Sequence, residues 1–402
     1  MKRATKLTLL ALVLTTVIIL VALVKEAGEN PTFRASDHDS LEECLRNIPT
    51  EWLDGSIERT GAETACMHLH SGSGAALQRS GVRTEDLYHS LSVLASDSLE
   101  GRMTGTRGAA KAAAFIARAF EEYGLEPGGD DGFLQSVPMA RVPMAGGRAR
   151  YVLLQTHSAL DTIPEERRVL DANVIGVLPG SDPELRGEAI VVAAHFDHLG
   201  VGRPDESGDS IYNGADDDAS GTVAVMEIAR ALSSGPAPAR TIVFLAATAE
   251  ELGMLGTRWY LDHPTVPLES TVGMLAIEMI GRPDSLAGGR GRAWLTGYER
   301  STMGDILEES GIPIVPDPRP EQNFFLRSDN APFAFLGIPA HTLSSYNLHE
   351  DYHRPSDEID KIDFEHMTEV VDAAIRAVRV LADGPRPEWH PGGKPERPTG
   401  RR

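Results

Sequence analysis

Glu188-Ala189-Ile190-Val191-Val192-Ala193-Ala194-His195-Phe196-Asp197-His198 is an apolar run that stops abruptly at side chains able to bind metal and protons. The stretch 188–194 lacks the apolar–polar alternation of a half-exposed strand, as expected for a strand buried on both faces. Similar short runs rich in Val, Ile and Leu recur at 172–178, 241–247, 272–280 and 338–343. Helical periodicity fills the intervals. Leu87, Leu91 and Leu94 share one face after Thr84, and Phe115, Ile116, Ala119, Phe120 and Tyr123 form a stripe over 107–123. Gly124 and Pro127 are placed to end that helix. Further helices are predicted over 220–232 and 364–381. Strands alternating with helices predict an α/β fold, a three-layer sandwich around a mixed, largely parallel central sheet. No internal repeat interrupts that pattern.

In open α/β sheets ligands bind at the carboxyl ends of the strands. There this chain places His195 after 188–194, Glu250 and Glu251 after 241–247, and Glu278 in the run 272–280. Asp216-Asp217-Asp218 precedes the helix at 220–232, and His353 follows the last predicted strand. Each has a plainer explanation alone. Three aspartates before a helix serve as an N-cap, a Glu pair is commonly solvated surface, and a lone His commonly makes a hydrogen bond. Together they demand more. Several carboxylates converging at one sheet edge repel one another and lose solvation unless cations neutralise them. With two histidines in the set, zinc suits the donors better than magnesium.

The segments Ala194-His195-Phe196-Asp197-His198, Asn213-Gly214-Ala215-Asp216-Asp217-Asp218-Ala219-Ser220-Gly221, Glu250-Glu251-Leu252-Gly253, Glu278-Met279-Ile280-Gly281, Ser328-Asp329-Asn330 and Tyr352-His353 occur in a telling order. That order resembles the co-catalytic zinc exopeptidases of metallopeptidase family twenty-eight, which include bacterial leucyl aminopeptidases and glutamate carboxypeptidase II. The resemblance spans residues 85–382 and takes in Leu99-Glu100-Gly101-Arg102 and Thr104-Gly105-Thr106. It implies two zinc ions per chain, with Asp217 bridging them, His195 and Glu278 on one, and Glu251 and His353 on the other. It further implies Glu250 as general base and acid, Asp197 as the group orienting the His195 ring, and a cis peptide between Asp217 and Asp218. Zinc ions roughly 3.5–4 Å apart would polarise the scissile carbonyl and acidify a bridging water. Two departures stand out. Glu278 occupies a position where well-known aminopeptidases carry Asp. The segment Asn323-Phe324-Phe325-Leu326-Arg327 also lacks the tyrosine that some of them use on the oxyanion, leaving Tyr352 as the available hydroxyl. His198 reads as lining the cleft or making a structural hydrogen bond. His341 and His349 read as loop residues, and His366 as a surface or core-edge position.

The resemblance leads to an aminopeptidase acting on peptides with a free amino terminus. A carboxypeptidase, dipeptidase or glutaminyl cyclase-like enzyme of the same fold is the alternative, as is a non-catalytic ectodomain. An Arg pair near the metals would favour a substrate carboxylate, and Arg327 is the one such arginine in reach. A net charge of −21 over 402 residues argues against nucleic acid as partner. Lys2, Arg3 and Lys6 precede the uncharged apolar span 7–24, which is followed by Lys25 and Glu26. This is longer than the ~7–15 residue core of a cleavable signal and near the ~17–25 that span a bilayer. Residues 1–24 are therefore expected to be a signal anchor, with a cleaved signal peptide as the alternative, and the catalytic domain to face away from the cytoplasm. Residues 25–83 read as a stalk or N-terminal arm and 84–383 as the catalytic domain. The Pro-, Gly- and Arg-rich stretch 384–402 reads as a disordered tail. Cys44 and Cys66 could pair in an oxidising compartment.

Overall fold

The computed structural model describes residues 81–147 and 149–397. The expected anchor at 1–24, Cys44 and Cys66 lie outside the described residues. Residues 81–82 and the described residues from Asp86 onward form one compact unit. Among the described residues no helix is long and apolar enough to cross a bilayer.

The helices are α1 (Thr84–Leu94), α2 (Arg107–Glu122), α3 (Gly221–Ser233), α4 (Leu255–Asp262), α5 (Thr302–Glu309), α6 (Asn330–Leu336) and α7 (Phe364–Asp383). The first strands are β1 (Glu126–Pro127), β2 (Leu134–Pro143), β3 (Ala149–Leu153), β4 (Arg168–Leu178), β5 (Ala189–His195), β6 (Gly200–Val201) and β7 (Ile211–Tyr212). They are followed by β8 (Thr241–Ala247), β9 (Thr271–Glu278), β10 (Ala293–Leu295), β11 (Ile314–Pro316) and β12 (Ala340–Ser344). The large sheet runs β11-β10-β12-β9-β5-β8-β4-β2-β3, with β1 against β4. Its centre, β12-β9-β5-β8, is parallel, and β4, β2 and β3 extend it antiparallel.

The apolar runs are explained by burial on both faces. Ile190, Val192 and Ala194 of β5 join Ile242, Phe244 and Ala246 of β8 in the core beneath α2, α3 and α7. The intervening Val191 and Ala193 meet Val243, Leu245 and Ala247 on the opposite face, with Tyr260 of α4 and Phe333 of α6. Helix α2 starts where Thr106 accepts a hydrogen bond from the Ala109 amide, and it buries Ala109, Ala112, Ala113, Ile116 and Phe120. Helix α7 is capped by Asp363 and buries Met367, Val370, Val371, Ala374, Val378 and Leu381.

The stretch 384–397 is not a free tail. Arg240 donates to the Gly384 carbonyl at 2.6 Å and Trp389 Nε1 donates to the Gly337 carbonyl at 2.8 Å. Trp389 also bridges Ser301, and the His390 amide donates to the Arg300 carbonyl. Its composition is poor in apolar residues, but main-chain bonds and one indole against Phe325 hold it in place. The antiparallel pair β2–β3 and the short strands β10 and β11 were not expected from periodicity.

Candidate metal centre

Strands β9, β5 and β8 lie side by side, so Glu278, His195 and the pair Glu250–Glu251 emerge at one edge of the sheet. Strand β12, next to β9, leads into the loop that carries His353. The segment between β7 and α3 supplies Asp217, and its peptide to Asp218 is cis, as the family resemblance implies. Gly214 turns this segment with φ of +54°, and a Cβ there would stand 2.2 Å from the Asp217 carbonyl oxygen and 2.5 Å from the His198 ring. Only glycine fits. Backbone at Ala249, Met279 and His353 is also left-handed.

Two arginines, Arg102 fully buried and Arg282 partly so, tie these segments together. Arg102 donates to the carbonyls of Phe196 (2.7 Å), Leu94 (2.5 Å), Asn213 (2.5 Å) and Gly214 (3.0 Å). Burial lowers its pKa to about 10, so it stays charged at neutral pH. Arg282, just beyond β9, binds Asp351 at 2.6 Å and Asp357 at 3.1 Å. Asp357 in turn accepts from the amides of Asp216 and Asp217, and His349 contacts Asp216 at 3.0 Å.

Asp217 stands at the centre. Its Oδ1 lies 3.4 Å from His195 Nε2 and its Oδ2 3.1 Å from His353 Nε2. His353 Nε2 is also 3.2 Å from Glu251 Oε1. Two sets of donor atoms, from His195, Asp217 and Glu278 and from His198, Asp217 and Glu251, each fall within 4.8 Å of one another. His195 Nε2, Asp217 Oδ2 and Glu251 Oε1 are buried and form no aligned hydrogen bond. Buried polar atoms without partners are rare, and imidazole and carboxylate donors converging on one space fit divalent zinc. The residues therefore fit divalent metal such as zinc, with Asp217 common to both donor sets.

The electrostatics match that geometry. Burial works against ionised Asp217, yet the His195 and His353 rings hold its pKa well below the carboxylate range. Burial and Asp217 push Glu251 upward, but His198 and His353 outweigh them and leave it at about 2. Burial raises Glu278 to about 7, with Asp217 adding to the rise. Burial also lifts Glu250 well above its ordinary value, helped by Asp329, Glu278 and Glu251. A cluster without cations thus retains protons that metal binding would release.

The five expected ligands all reach this cluster. Glu278, the departure from Asp, is half-buried, and the Ser328 hydroxyl bonds it. Glu250 sits beside the cluster, its Oε2 4.0 Å from His195 Nε2. Tyr352 stacks on His353 at 3.9 Å and lines the same cleft. Asp197 contacts the His195 ring as expected, but through its main chain. The His195 ring meets the Asp197 main-chain carbonyl at 3.1 Å, while the carboxylate is 3.8 Å away. That carboxylate instead accepts from the Glu250 amide and the Thr104 hydroxyl, both at 3.0 Å. His198, left undecided by the sequence, places Nδ1 2.9 Å from Glu251 Oε1. A neighbour three residues after a ligand carries no periodicity that separates it from a loop residue. His341 is a buried strand residue rather than a loop one, bonded to Ser301 and Thr296. His366 is likewise fully buried, within α7.

The model of peptidase family M28 matches residues 173–378, which is 206 of the 402 residues. Similar curated proteins include probable leucine aminopeptidase 2 of Aspergillus fumigatus, 26% identical over 257 residues, covering 61% of this chain and 44% of that protein. Leupeptin-inactivating enzyme 1 of Streptomyces exfoliatus is 29% identical over 181 residues, covering 43% of this chain and 35% of that protein. Aminopeptidase YwaD of Bacillus subtilis is 26% identical over 215 residues, 51% of this chain and 44% of that protein. The chain spans less than half the length of these relatives. The aminopeptidase from Aneurinibacillus sp. strain AM-1 superimposes with a TM-score of 0.53 at 18% identity, covering 75% of this chain and 94% of that one. BSAP, a zinc aminopeptidase from Bacillus subtilis, gives 0.53 at 17% identity, covering 75% and 95%. These two likenesses establish the shared α/β fold. The matched stretch runs through the strand ends that deliver His195, Glu251 and Glu278, and on that footing the chain belongs to peptidase family M28.

Proposed function

We propose that the chain is an aminopeptidase that removes amino-terminal residues from peptides with the help of two zinc ions. The observation that carries this reading is the convergence of unpartnered buried donors on Asp217, with Glu250 beside them. His195, Asp217 and Glu278 would hold one ion, and Asp217, Glu251 and His353 the other, with His198 against Glu251. Bound zinc supplies Lewis acidity toward the scissile carbonyl and makes water a stronger nucleophile at neutral pH.

The chain's own residues do the rest. Glu250, whose carboxylate stands beside the donor cluster, would take the proton of the attacking water and return it to the leaving amine. Asp197 fixes the Glu250 main chain through its amide. Tyr352 keeps its proton, because burial and the charges of Asp217, Glu278 and Glu251 raise its pKa, so its hydroxyl can donate to the carbonyl oxygen as negative charge grows there. Glu250, Glu251 and Glu278 line the cleft and favour a substrate ammonium group. A single-zinc glutaminyl cyclase-like reaction fits less well, because two donor sets rather than one surround Asp217. The basic, then apolar, amino-terminal sequence supports an anchored enzyme with its catalytic domain outside the cytoplasm.

The test is hydrolysis of a panel of free and N-acetylated peptides before and after chelation. We expect cleavage of free peptides only, lost on chelation and restored by zinc. Cleavage of blocked peptides at their carboxyl end would replace this reading with a carboxypeptidase.

A further inference from the structure

Arg327 is the one lysine or arginine in the wall of the cleft beside the carboxylates. The other arginines nearby are occupied: Arg282 by Asp351 and Asp357, and Arg319 by both oxygens of Asp284. Arg327 makes no ion pair among the described residues, although four carboxylates line the same cleft. Its guanidinium lies 5.1 Å from the centroid of the Phe324 ring, and Phe324 is itself fixed by stacking on Trp294 at 5.4 Å. A ring beneath the guanidinium plane fixes its position but engages none of its five N–H donors. Arg327 lines the cleft together with Tyr346 and Tyr352. The cleft is therefore polarised: anionic at the metal-ligand end and cationic at Arg327.

We propose that Arg327 is a subsite for a substrate carboxylate, so that the preferred substrates carry both a free amine and a nearby carboxylate. This rests on the aminopeptidase reading above and narrows its substrate class. The carboxylate has two sources. It is the α-carboxylate of a dipeptide, directly beyond the scissile bond, or the side chain of an acidic residue in a longer peptide. Either would take a planar, paired hydrogen bond from the guanidinium, which an ammonium group cannot reproduce.

The experiment measures kcat/KM with zinc-loaded protein on matched pairs: dipeptides against their carboxyl-terminal amides, and amidated peptides with Glu or Asp against Gln or Asn. We expect wild type to favour the carboxylate member of at least one pair about tenfold, a discrimination typical of a hydrogen-bonded charge. Arg327→Gln should bring that ratio close to one, and Arg327→Lys should retain part of it. The pair that responds identifies the source. Ratios near one in the wild type, or ratios unchanged in Arg327→Gln, would overturn the subsite while leaving the aminopeptidase intact. No hydrolysis of any member, neutral ones included, would overturn both.

Discussion

At the scale of single residues, the site separates carboxylates by environment. Asp217 and Glu251 face imidazole rings and stay ionised, whereas burial, helped by other carboxylates, pushes Glu250 and Glu278 toward protonation. Glu278, although a proposed ligand, falls on the protonated side with Glu250, and metal binding would release its proton. Glu250→Gln keeps the size and the main-chain bond to Asp197 while removing the base. We expect it to retain zinc near the wild-type content by metal analysis, with kcat reduced by roughly 10²–10⁴. Turnover near wild type with zinc present would remove Glu250 from the role of base. The five proposed ligands could be placed from sequence because each ends a strand or lies in an adjoining loop. The real work of Asp197 could not, since its carboxylate crosses from β5 to the amide of Glu250, a partner that only the fold brings near.

At the scale of elements, the ligands come from separate strand ends, and their spacing depends on what joins those ends. Arg282 links the segment after β9 to Asp351 and Asp357, and Asp357 holds the amides leading into Asp217. Arg282→Met should leave the sheet and its helices intact by circular dichroism while weakening zinc binding about 10–100-fold, as loss of partners behind metal ligands commonly does. Competition with a calibrated chelator measures this, and an unchanged affinity would show that the loops hold their spacing without Arg282. The central strands were legible because both faces of β5 and β8 are buried, leaving unbroken apolar runs. Strand β2 was not. Its Gln135, Ser136 and Pro138 break the pattern, and it owes its place to pairing with β3 and β4. The 384–397 stretch was misread for the same reason, since main-chain pairing leaves no mark in composition.

At the scale of the whole molecule, stability is tied to pH by two buried histidines outside the donor cluster. His341 and His366 are both held near a pKa of about 4 by burial. The unfolded chain binds protons there near the ordinary value of about 6.5. Their contribution is therefore complete above that value and is lost as pH falls from about 6.5 toward 4. Asp197, Glu278 and Asp357, raised to about 7, act in the opposite sense in metal-free protein. A variant comparison isolates the histidine, because those carboxylates are common to both proteins. His341→Asn should be less stable than wild type at pH 7, with the gap narrowing by pH 4.5 in urea unfolding. A gap that stays constant with pH would mean that His341 does not stay neutral in the native state.

The wall of the cleft carries one of the chain's four tryptophans, Trp294, buried and stacked on Phe324. Its indole N–H has no hydrogen-bond partner, although Thr296, Thr342 and Ser344 line the same space. A buried indole absorbs and emits light according to what sits against it. The packing that shapes the cleft thus also makes it optically legible: a side chain entering beside Trp294 would alter the protein's own fluorescence without any added label.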